Sequence, residues 1–197
     1  MAFRPAPKTN TPDLACRVRH VNKKEAIRSI LAERLKTAVP VHSRKGPSLP
    51  HNQAIRWLPL VKCGTEERTL GVTVDGQWVV EVSEGLQILD EGSKFILVIV
   101  LLERPLHVVA GEFHDGLIKH FGEFDKDDAY TLFPVTEIIR AGLKSESEYW
   151  VVLSLDWYES LAFEDRSGFE NDLLKIMETK KISQKTRHRA KHAYFNR

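Results

Sequence analysis

The chain has 197 residues, 42% of them hydrophobic and 28% charged, with a net charge of only +2. This is ordinary globular composition, sufficient to bury a core without disulfides or metal clips. The most apolar run, Phe95 to Leu102, is too short for a spanning helix, which needs about 20 residues, so membrane insertion is not expected.

The charge is unevenly spread. Residues 1–50 carry eleven Lys and Arg against three acids, residues 51–179 eleven against 24, and residues 180–197 seven against none. Two basic ends therefore flank an acidic middle, a pattern that points to a polyanion partner or to internal electrostatic docking. Cys16 and Cys63 stand in no metal-ligand spacing, and Met1 to Asn10 lacks the apolar stretch of a secretory leader. Free thiols in a reducing, cytoplasmic compartment are the expectation.

Residues 1–20, with Pro5, Pro7 and Pro12, read as a flexible basic tail. Asn22 and Glu25 form a capping box that opens a helix, with Val21 stapled onto Ala26. Ile27, Ile30, Leu31, Leu35 and Ala38 give that helix one apolar face, and Pro40 ends it. Val41 to Pro50 reads as a loop, and Ala54 to Lys62 as a strand that Pro59 pushes toward a sheet edge. Thr69 to Val74 and Gln77 to Val82 flank Asp75-Gly76, a preferred two-residue hairpin turn. A helical turn at Glu84 to Asp90 follows, then a buried strand at Phe95 to Leu102 and another strand at Leu106 to Glu112. The expected sheet has four to six antiparallel strands between residues 54 and 124 and could curl into a small barrel.

After Asp125 the apolar period becomes helical. Pro134 opens a helix through Val135, Ile138, Ile139 and Leu143. Ser145 to Glu148 spells a second capping box, and Trp150, Leu153, Trp157 and Leu161 follow at intervals of three and four. Residues 149–157 are also rich in strand formers, but the cap and the stripe favour a helix. Phe169, Leu173, Leu174, Ile176 and Met177 mark a further helix, and Ser183 caps a last one running to Tyr194. The fold class is α+β: an N-terminal helix, a central antiparallel sheet and a C-terminal group of short helices. The tail at 1–20, a helix-and-sheet region at 21–125 and a helical region at 126–197 make one compact unit or two small subdomains.

The last helix carries the strongest functional signal. Ile182, Thr186, Ala190 and Ala193 give it a narrow, mostly small apolar stripe, surrounded by Lys185, Arg187, His188, Arg189, Lys191 and His192. So little apolar area calls for another source of stabilisation, and phosphate contacts would supply it. The competing reading docks this helix on the acidic middle of the chain. Lys181, Lys185, Arg187, Arg189 and Lys191 are the expected phosphate contacts, joined by Arg19, Lys23 and Lys24 from the other basic end. Aromatic residues are sparse in both ends (Phe3, Tyr194 and Phe195), so base stacking has weak support.

Other chemistries find less. His107, His114 and His120 lie near Glu112, Asp115 and Glu123, but their spacing matches no helical ligand pair, and Asp115-Gly116 reads as an exposed turn. Asp75 and Glu81 lack the E-x-K partner of a metal-dependent nuclease; Glu178-Thr179-Lys180 has that pattern, but on a helix end. Cys63 has no placeable base, and the acidic run Asp125, Asp127 and Asp128 reads as a solvated loop rather than a calcium loop. Phosphate-loop, dinucleotide and nucleophile-elbow motifs do not occur. The expectation is a non-enzymatic binding protein without cofactor, contacting DNA, RNA or a nucleic-acid-bearing assembly. An inhibitor or immunity-type protein that covers a basic partner with the acidic middle is the first rival, and a metal-dependent hydrolase or nuclease the second.

Overall fold

Residues 68–82 form the expected hairpin, with a different closure. A computed structural model gives the fold and describes residues 25–36, 42–44, 55–64, 68–90 and 92–196. In it β3 (Arg68–Thr73) pairs with β4 (Trp78–Val82), Thr69 opposite Glu81 and Val72 opposite Trp78. The Thr73 N–H donates to the Gln77 carbonyl at 2.8 Å, so three residues close the loop, and Gly76 supplies the left-handed position at φ 77°.

The sheet is a five-stranded antiparallel meander in the order β1 (His42–Arg44), β2 (Ile55–Cys63), β3, β4, β5 (Gly85–Ile88). It is open, with β1 and β5 at its two edges, and does not close into a barrel. Three expectations change here. His42–Arg44 is a strand within what reads as a loop, and Gly85–Ile88 is a strand where a helical turn is expected. β2 lies between β1 and β3 rather than at an edge. Pro59 is accommodated by a register shift between Pro59 and Val61, where the missing N–H disturbs the ladder least.

The larger correction follows the sheet. Gly92–Glu103 is a 3-10 helix, and Leu106–Phe121 is helix α2, so neither run is a strand. Phe95, Val98 and Leu101 recur every three residues and are buried, matching the three-residue turn of a 3-10 helix. A run apolar on every side hides its own period, which is why the sequence pattern alone favours a strand. In α2 the buried residues are Leu106, Val109, Phe113 and Leu117. Gly116 is no turn residue: a Cβ there would come within 3.0 Å of the Leu60 carbonyl oxygen, so its lack of a side chain lets α2 lie close on β2.

Helix α1 spans residues 25–36 and buries Ile27, Leu31 and Leu35, while Ile30 faces outward. The Val21 staple, Asn22 of the capping box and Ala38 lie outside the described residues, as do the basic tail and Cys16. The remaining α-helices are α3 (Lys126–Leu132), α4 (Val135–Leu143), α5 (Glu148–Glu159), α6 (Glu170–Glu178) and α7 (Gln184–Phe195), with a short 3-10 helix at Phe163–Arg166. Residues 149–157 are thus helical, as the stripe indicates. The acidic run around Asp125 is a helix start rather than a loop, with Asp125 Oδ1 accepting from the Asp128 N–H at 2.9 Å.

One hydrophobic cluster extends from Ile27 to Ala193 through both the sheet and the C-terminal helices. Trp78 sits inside it against Phe113, and Trp157 against Phe133, so these indoles belong to the core. A small second cluster of Trp57, Val79 and Leu86 forms separately on sheet strands. Among the described residues no helix is long and apolar enough to cross a membrane.

Candidate nucleic-acid interface

Helix α7 starts where the sequence places it. Ser183 is the N-cap, its hydroxyl accepting from the Thr186 N–H at 3.3 Å. A second cap arrives from elsewhere in the chain. The Glu148 carboxylate, at the start of α5, accepts from the Ser183 N–H at 3.1 Å, the Thr186 hydroxyl at 2.6 Å and the Ser183 hydroxyl. These hydrogen bonds, the Ser183 hydroxyl first, hold the Glu148 carboxyl below its ordinary pKa. Lys185 at the first turn faces the positive end of the helix dipole, and Glu148 supplies the negative charge that offsets it. The Ser145–Glu148 box takes another form: Ser147 is the N-cap of α5 without a side-chain bond, and Ser145 Oγ accepts from the Ser147 N–H.

The apolar stripe of α7 is buried as expected. Ile182, Thr186, Ala190 and Ala193 pack inward, against α6 and α5. The Tyr158 hydroxyl adds a hydrogen bond to the Ala193 carbonyl at 3.3 Å. Arg189 fastens the helix from one flank. Its guanidinium donates to Glu159 Oε1 and Oε2 at 2.7 Å each and to Asp156 Oδ1 at 2.6 Å. This forked pairing with α5 raises the Arg189 pKa and keeps the group cationic throughout the ordinary pH range. The competing reading is therefore met in part: the helix docks on the chain's own carboxylates through Arg189, the only one of its cations with an ion pair among the described residues.

Most of the remaining charge on and just before α7 is exposed. Lys181, Lys185, His188, Lys191 and His192 are exposed and Arg187 is half-buried. Among the described residues no carboxylate lies within ion-pair distance of Lys181, Lys185, Arg187 or Lys191. Arg187 Nε is buried without a hydrogen-bond acceptor among the described residues. Met177, Gln184, Arg187, His188 and Lys191 line a shallow depression of about 280 Å³ between α6 and α7. Arg19, Lys23 and Lys24 fall outside the described residues.

The other candidates are not brought together. His107, His114 and His120 sit on α2 rather than around a turn; His107 is exposed, and His114 Nε2 lies 2.9 Å from the Phe124 carbonyl. Among the described residues no group of three or more His, Cys, Asp or Glu is placed to hold a metal ion. Asp75 is in the hairpin loop and Glu81 in β4 opposite Thr69. Cys63 is buried, and that burial pushes its thiol up to about 11, the opposite of an activated nucleophile. Several acids of the middle are engaged internally: Asp156 and Glu159 by Arg189, and Asp172 by Arg140 and Lys144. Sequence reasoning missed the role of Glu148, because its partners lie 35 and 38 residues away and no spacing signals them.

No family, curated protein or solved structure matches the chain.

Proposed function

We propose that this chain is a non-enzymatic binding protein that contacts nucleic-acid phosphates through the outward face of α7, with Lys181, Lys185, Arg187 and Lys191 as the contacts. One observation carries the reading. The helix is anchored by small side chains and by Arg189, while Lys181, Lys185 and Lys191 are exposed and, with the half-buried Arg187, have no ion-pair partner among the described residues. Arg189 accordingly becomes a positioning residue rather than a phosphate contact. Arg19, Lys23 and Lys24 remain candidates for a second contact from the other basic end. Phosphate contacts of this kind position a protein on the backbone without reading sequence.

Fluorescence anisotropy with labelled DNA and RNA oligonucleotides at 50 and 200 mM salt tests the reading. Four phosphate contacts predict a loss of about a hundredfold in affinity across that range. Lys185→Glu combined with Lys191→Glu should weaken binding and flatten the salt dependence. Binding indifferent to salt, or unchanged in the double variant, overturns the proposal.

A further inference from the structure

The outward face of α7 is not purely cationic. At about 100° per residue, the buried positions Thr186, Ala190 and Ala193 define the inward direction. The opposite direction is occupied by Gln184, His188 and Phe195, with Lys191 on one flank and Lys185 and His192 on the other. Phe195 is 65% exposed, the most exposed of the large hydrophobic residues described. It lies outside the buried stripe that docks the helix. Its ring stands at 85° to that of Tyr194, with centroids 5.2 Å apart.

From this placement we infer that the ligand of α7 is single-stranded nucleic acid, with Phe195 stacking on a base while the flanking lysines hold the adjacent phosphates. The inference rests on the phosphate-binding reading above and narrows it. A duplex offers a ridge of phosphates and keeps its bases stacked inside, so a phenyl ring at the end of a cationic face would meet nothing it favours. A single strand offers both groups together. Lys191 lies four residues before Phe195, about 6 Å along the helix, and Lys185 about 15 Å away, so charge and ring form one continuous track. Basic grooves combined with aromatic platforms are the general solution for single strands, tolerant of sequence because every base has a flat face. His188 and His192 add further flat rings along the same track.

The test uses the full chain and four labelled probes: twelve-nucleotide oligo-dT, twelve-nucleotide oligo-U, a twelve-base-pair DNA duplex and inorganic polyphosphate. The expected result is tighter binding of one or both single strands than of the duplex. Phe195→Ala should weaken single-strand binding about tenfold and leave duplex and polyphosphate binding unchanged, while Phe195→Trp should retain it. Circular dichroism checks the fold of both variants, which the exposed position of Phe195 should leave unchanged. Duplex bound as tightly as single strands, or Phe195→Ala without effect on them, overturns the inference. If those outcomes come with steep salt dependence and sensitivity to Lys185→Glu plus Lys191→Glu, the phosphate reading survives alone. If no probe binds, both fall.

Discussion

Gly92–Glu103 and α7 are each twelve residues long and each run against the same helical body, yet they are opposite in chemistry. The first buries five large apolar side chains, Phe95, Val98, Ile99, Leu101 and Leu102. The second buries Thr186, Ala190 and Ala193 and holds four Lys or Arg with no acid. The first is fixed by burial, at about 1.5–3 kcal/mol for each large side chain withdrawn from water. Small stripes contribute far less, so α7 depends on its caps and on the Arg189 fork as well. One segment makes the core, and the other uses the core as a platform for charge.

The largest break in this comparison should come from the first segment. Leu101→Ala, at a fully buried position, is expected to cost about 2–5 kcal/mol in urea unfolding. A small loss there would mean that the 3-10 segment is not a central layer. Gly142→Ala acts on the same junction from α4. The new Cβ would fall 1.9 Å from Ser154 Oγ and 2.8 Å from Leu102 Cδ1, so overpacking should cost about 1–3 kcal/mol or more.

Substitutions on α7 should be milder and should separate its two flanks. Arg189→Ala removes a partly exposed forked pair and is expected to lower stability by about 1 kcal/mol or less. Lys185→Ala, on the open face, should leave stability within about 0.5 kcal/mol. Equal effects from the two would show that the Arg189 fork contributes nothing particular to docking.

The smallest effect concerns pH. The folded-state pKa of Glu148 lies below its ordinary value, so its contribution is present above the ordinary carboxylate range and is lost as pH falls through the lowered folded value. Wild type should therefore lose more stability on acidification than Glu148→Gln, which lacks the contribution at every pH. Parallel stability curves for the two proteins would remove Glu148 from the account of α7.

What the sequence disclosed follows the same division. Amphipathic elements were legible: the Ile27, Leu31, Leu35 face of α1, the 68–82 hairpin and the Trp150–Leu161 stripe all declare their period against polar neighbours. Phe95–Leu102 has no polar residue within it to reveal a period, and the Asp115-Gly116 pair imitates a turn although Gly116 serves a helix–sheet contact. At the candidate site, the small stripe and the Ser183 cap could be read from spacing of three and four residues. The Arg189 fork and the Glu148 cap could not, since their partners lie 30 or more residues away and only the fold brings them close.

The tethering of α7 by Arg189 and Glu148 has a thermodynamic consequence for any ligand. Twelve residues with a basic composition fall at or below the length at which an isolated helix persists in water. Attached to α5 and α6, the helix is already formed, and a ligand must order only lysine side chains, at about 0.5–1.5 kcal/mol each. A peptide spanning residues 183–196 would carry most of the same charges but would have to fold on contact. On the proposed single-strand reading it should bind more weakly than the whole chain, and the gap between them measures what the scaffold contributes by holding its cations in place beforehand.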